Sequence, residues 1–95
     1  MKAIYEFYWD CRRQGSVQGL FIAEKSEVEK AIGSNVYFGE ILGKHSEVYG
    51  TLDEDDLTIK TEDQDFIQKF EELIGITDTI SGYDPLHYIE ELDEE

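Results

Sequence analysis

Residues 3–11 read Ala-Ile-Tyr-Glu-Phe-Tyr-Trp-Asp-Cys, and their alternation narrows the fold more than any other stretch. Ala3, Tyr5, Phe7, Trp9 and Cys11 occupy the odd positions, with Glu6, Tyr8 and Asp10 between them. Successive strand side chains point to opposite faces, so a period of two predicts a half-buried β-strand. Arg12-Arg13-Gln14-Gly15-Ser16 is polar and holds a glycine, which suits a hairpin loop. Val17–Ala23 returns as a second strand, with Val17 and Phe21 on one face and Leu20 and Ile22 on the other.

Further along, Ser26 is placed to cap a short helix, and Glu29 three residues on completes a capping box. Val28, Ala31 and Ile32 share a face of that helix, and Gly33 can take the left-handed conformation that ends it. Residues 35–42 and 46–52 are rich in β-branched and aromatic side chains and predict a second hairpin, followed by a short strand over 57–61. A longer helix over 63–74 carries Phe66, Ile67, Phe70, Leu73 and Ile74 as one apolar stripe and stops at Gly75. Asp84-Pro85 pairs a cap with a proline at the first helical position, predicting a last short helix with Leu86, Ile89 and Leu92 inward. Acids crowd its C-terminal end, where the helix dipole disfavours anions, so residues 90–95 are expected to fray.

The order β-β-α-β-β-β-α-α predicts an α+β fold. It consists of a mostly antiparallel sheet of about five strands, two main helices packed on one face, and an opposite face open in part. Ninety-five residues have room for one core, so residues 1–95 are expected to form a single compact domain. An apolar share of 40% with 13% aromatics excludes a disordered composition. No apolar run is long enough to span a bilayer, and MKAIYEFYW lacks the uniform apolar block of a signal peptide. Cys11 is the only cysteine, so no internal disulfide can form and a cytoplasmic setting fits.

Charge is the feature that bears most on function. The net charge is −15, and it is lopsided. Residues 1–50 hold 7 acids and 6 bases, whereas residues 51–95 hold 16 acids and 2 bases. Such a field repels nucleic acid, whose phosphates need Lys and Arg, and disfavours anionic membranes. It favours encounter with a basic protein surface.

Few motifs compete with that reading. Gly39-Glu-Ile-Leu-Gly-Lys-His-Ser46 superficially resembles a phosphate-binding loop. The required spacing is four residues between the glycines and a Lys followed at once by Ser or Thr. Here three residues separate Gly39 from Gly43, His45 intrudes before Ser46, and strand-forming residues follow instead of a helix. A hairpin turn fits better, with Gly43 at positive φ and Lys44 and His45 in water. Cys11 beside Arg12 and Arg13 has the neighbours of an activated thiol, but its place on the apolar face favours a packing role. His45 and His87 are read as solvent-facing, without the spacing of a metal motif. Asp53–Asp56 lacks the alternating ligands and central glycine of a calcium loop, and reads as a solvated turn that blunts a sheet edge.

These observations lead to the expectation of a non-enzymatic binding protein with no catalytic residue, cofactor or metal. Its acidic half would dock on a basic partner protein, as inhibitor, immunity and anti-defence proteins that mimic nucleic acid do. The expected contacts are Asp53, Glu54, Asp55 and Asp56 in the turn and Glu62, Asp63, Asp65, Glu71 and Glu72 at the long helix. High negative charge also confers solubility alone. The alternative is a small ligand-binding or enzymatic domain using the Gly39–Ser46 loop or the open sheet face.

Overall fold

The computed structural model describes residues 1–75 and 77–90. Strands β1 (Lys2–Asp10) and β2 (Ser16–Glu24) form the expected hairpin, antiparallel from Lys2↔Glu24 to Asp10↔Ser16. Its turn is closed by the Cys11 amide donating to the Gly15 carbonyl at 2.8 Å. β5 (Leu57–Thr61) pairs with β1 on one side and β6 (Thr79–Gly82) with β2 on the other, giving the antiparallel order β5-β1-β2-β6. β3 (Asn35–Gly39) and β4 (Val48–Thr51) form a separate two-stranded antiparallel sheet. The fold is α+β, with six strands in two sheets among the described residues, where one sheet of about five was expected.

Strand parity divides the main sheet into two unequal faces. Ala3, Tyr5 and Phe7 of β1 stand opposite Ala23, Phe21 and Gly19 of β2. They point into the principal core with Val28 and Ala31 of α1 (Lys25–Ala31) and Val36, Phe38, Val48 and Leu52 of the β3–β4 layer. Phe7 and Phe21 are fully buried, worth about 1.5–3 kcal/mol each in area removed from water. Phe38 is the aromatic hub, with Phe7, Trp9, Tyr83 and Tyr88 ring centroids at 5.8, 5.6, 5.7 and 4.7 Å. On the opposite face Ile4 and Ile22 pack with Ile67 of α2 (Gln64–Ile74), with Phe70 and Ile80 at the margin.

The two helices therefore lie on opposite faces of the main sheet, not on one. The physical reason is that Ile4 and Ile22 make an apolar spot on the second face, and α2, entering from edge strand β5, covers it. α1 instead follows β2 without a loop and is driven onto the first face by Val28 and Ala31.

The helix ends follow the expected rules in part. The Asp63 carboxylate accepts from the amides of Asp65 and Phe66 and caps α2, and Gly75, at φ 106°, ends it. Gly33 at φ 91° lies just past α1 as expected. The Ser26 capping box does not form: the helix starts at Lys25, and Glu24 occupies the cap position in strand conformation. The last expected helix is a single 3-10 turn, Pro85–Tyr88, after which Ile89 bridges to Val36 of β3. Leu86 and Ile89 pack on the principal core as expected. The expected position of Leu92 and the expected fraying beyond Glu90 lie outside the described residues.

Candidate functional site

The nine acids singled out in the sequence lie in two groups, one on the turn before β5 and one running from the end of β5 onto α2. Glu54–Asp56 forms a 3-10 turn leading into the start of β5, whereas Glu62 and Asp63 follow its end. A strand of that length separates the groups by roughly 16 Å. Within the first group, the Asp53 carboxylate accepts from the Asp55 amide at 3.0 Å and the Asp56 carboxylate from the Asp53 amide at 2.9 Å. Those two carboxylates stabilise the turn, while Glu54 and Asp55 are exposed. In the second group Glu62 meets Lys25 at 2.9 Å and Glu71 meets Lys2 at 3.1 Å. The Glu62 hydrogen bond raises the pKa of Lys25, keeping that lysine charged. Asp65 and Glu72 remain exposed on α2.

Beside these acids lies an apolar groove that the sequence did not single out as a site. Its floor is Ile4, Leu20 and Ile80 from the sheet, and its wall is Phe66 and Phe70 of α2, enclosing about 510 Å³. Of the α2 stripe read as core, only Ile67 is buried. Phe66, Leu73 and Ile74 are 52, 76 and 66% exposed. The signal was in the sequence as a broad apolar stripe, but periodicity does not tell whether a sheet is wide enough to cover it. Beyond the groove the same face is open at Tyr8, which is exposed.

A second hollow, of about 480 Å³, lies where α1 meets the Asp84–Ile89 segment, and Glu27, Lys30, Asp78, Asp84 and His87 line it. Asp84 is the one buried charged residue among those described. One of its oxygens accepts from the Leu86 amide at 2.9 Å, and the other lies 3.6 Å from the His87 ring, which meets Asp78 at 3.2 Å. Burial raises the Asp84 pKa, with the Leu86 amide and His87 opposing it and Asp78 reinforcing it. The arrangement accounts for itself as the cap of the 3-10 turn. His87, expected to face only water, is half exposed and held by these two acids.

The remaining candidates resolve into structural roles. Gly39–Ser46 belongs to the β3–β4 connection, where the Ser46 amide donates to the Gly43 carbonyl at 3.2 Å. Gly39 at φ 82° and His45 at φ 65° are the left-handed residues of that segment, whereas Gly43 at 159° is nearly extended. Glu40 and Glu47 line the hollow beside it, which makes it a poor place for phosphate. Cys11 packs against the principal core, and burial with the Asp10 charge raises its pKa, so it is held as the thiol. Among the described residues no group of three or more His, Cys, Asp or Glu is placed to hold a metal ion. Among them, too, no helix is long and apolar enough to cross a membrane. Compared with protein-family models, curated proteins and solved structures, the chain matches none.

Proposed function

We propose that this is a non-enzymatic binding protein that docks its β5–α2 side on a basic surface of a partner protein, in the manner of an inhibitor, immunity or anti-defence protein. The observation that carries this reading is the distribution of charge. Residues 53–72 hold nine carboxylates and two lysines, Lys60 and Lys69, on the turn before β5, β5 itself and α2, and Lys2 and Lys25 reach Glu71 and Glu62 from outside that segment. The capping carboxylates Asp53, Asp56 and Asp63 fix the turn and the helix start, and the exposed Glu54, Asp55, Asp65 and Glu72 carried on them can take the place of phosphates on a basic groove. The partner is a basic protein, including those that normally hold nucleic acid. A cytoplasmic setting is consistent with the single free thiol at Cys11.

The test combines capture with neutralisation. Proteins retained at low salt by the immobilised chain are identified, and a quadruple variant Glu54→Gln, Asp55→Asn, Asp65→Asn, Glu72→Gln serves as control. The expected result is a basic protein that is released steeply as salt rises and is not retained by the variant. Retention that is indifferent to salt and to the four substitutions would refute the proposal, as would tight binding of DNA or RNA in physiological buffer.

A further inference from the structure

We propose, building on the docking role above, that the apolar groove beside α2 is the anchor of the interface and that its occupant is a basic amphipathic helix of the partner. The groove is open and bounded by a helix on one side and a sheet on the other, a shape that accepts an apolar helix stripe. Phe66 and Phe70 supply the aromatic wall, and Leu73 extends it along α2 by the i, i+3 and i+4 spacing. Asp63 lines the groove, with Glu62 and Asp65 next in sequence to lining residues, and the lysine that shares the rim, Lys60, is held 3.6 Å from Glu6. An apolar centre inside an acidic rim complements an apolar stripe flanked by Lys and Arg.

Other occupants fit less well. At roughly 200 Å² per side chain, the exposed fractions of Phe66, Leu73 and Ile74 amount to about 400 Å² of apolar surface. That is below the ~800 Å² per partner of a stable dimer. A second copy would also bring the same acidic rim against itself, in a chain of net charge −15. Nucleic acid offers an apolar base face but meets the same repulsion.

The experiment uses two labelled helical peptides of about five turns. One carries a Leu/Phe stripe flanked by lysines; the other has the same lysines with the stripe replaced by serine. Fluorescence anisotropy compares the protein with a Phe66→Gln, Leu73→Gln variant, whose fold is checked by circular dichroism. Both positions are more than half exposed, and glutamine is compatible with a helix. The protein is expected to bind the striped peptide more tightly, and the variant to lose about tenfold or more for that peptide only. Equal binding of the striped peptide by protein and variant would overturn the groove as anchor and leave the acidic docking surface standing. Failure of both peptides to bind would overturn both readings. Sedimentation showing dimers that the variant dissolves would also overturn the proposal, because the occupant would then be a second copy.

Discussion

Gly19→Ala is expected to dislodge β6, although an alanine in a strand ordinarily costs nothing. At this position an added Cβ would stand 2.1 Å from the Tyr83 carbonyl oxygen and 2.4 Å from its nitrogen. Both are backbone atoms, so no side chain can swing aside. Reciprocally, a Cβ on Gly82 would stand 2.3 Å from the Gln18 carbonyl oxygen. Relieving the clash requires β6 to withdraw by more than about 1 Å, beyond hydrogen-bonding range for the 3.1 Å bond from the Tyr83 amide to Gln18. Losing two or three bonds of the β2–β6 ladder costs about 1 kcal/mol each. Partial exposure of Tyr83 and Ile80 adds about 1 kcal/mol, and alanine's lower unfolded-state entropy returns about 0.5. The net is a destabilisation of roughly 3 kcal/mol. Urea unfolding followed by tryptophan fluorescence reads this as a midpoint lower by about 2–3 M. Gly50→Ala is the control: its Cβ would meet nothing nearer than the Trp9 ring at 3.4 Å, and its backbone needs no positive φ. That variant is expected within about 0.5 kcal/mol of the parent. Equal midpoints for the two variants would refute the close approach of β2 and β6, and with it the placement of β6 in the sheet.

Further outcomes concern two carboxylates, Asp84 and Asp63. The folded-state pKa of Asp84 is raised, so its contribution to stability is present below the unfolded pKa and is lost as pH rises through the folded value. The stability of the parent relative to Asp84→Asn should therefore increase on acidification from pH 7 into the carboxylate range, and urea titrations at several pH values check the sign. Asp84→Ala, which also removes the acceptor for the Leu86 amide, should be about 1–2 kcal/mol less stable than Asp84→Asn at neutral pH. Asp63→Ala should cost about 1 kcal/mol and reduce α2 signal in circular dichroism, because the Asp65 and Phe66 amides lose their cap. Asp63→Asn should retain most of the cap while removing the charge, so a partner-binding loss seen with both belongs to electrostatics and not to helix integrity.

The parts of the fold legible in the sequence are those fixed by local rules. The β1–β2 hairpin is written in the alternation of residues 3–23, β5 in Leu57–Thr61, and α2 in the Asp63 cap and Gly75 stop. β6 was not legible because Thr79-Ile80-Ser81-Gly82 contains one large apolar residue, and its place is set by two glycines that meet only in the folded chain. The Ser26 cap was a sound local signal overridden by β2 running straight into α1. Face assignment failed because an apolar stripe says that a helix must be covered, not which side of a sheet covers it. The acids were found easily, yet only the structure separates those that hold turns and lysines from those left to solvent.

That separation bears on how the surface can act. Asp53, Asp56 and Asp63 accept backbone amides, and Glu62 and Glu71 meet lysines, so five of the nine acids have intramolecular work. Exposed carboxylates of the remaining kind act at distances set by a Debye length of about 8 Å at physiological salt, and their main effects are on encounter rate and partner choice. Lasting affinity needs desolvated apolar contact at the centre of an interface. The α2 stripe places such contact beside the acids: Ile67 holds the helix to the sheet while Phe66 and Leu73 stay uncovered. On this view the salt dependence of binding and its dependence on Phe66 are separable quantities. Neutralising Asp65 and Glu72 should slow association with little change in dissociation, whereas Phe66→Gln should speed dissociation with little change in association. Stopped-flow kinetics with the striped peptide distinguishes the two, and if both variants altered the same rate constant, the division of labour between rim and groove would be refuted.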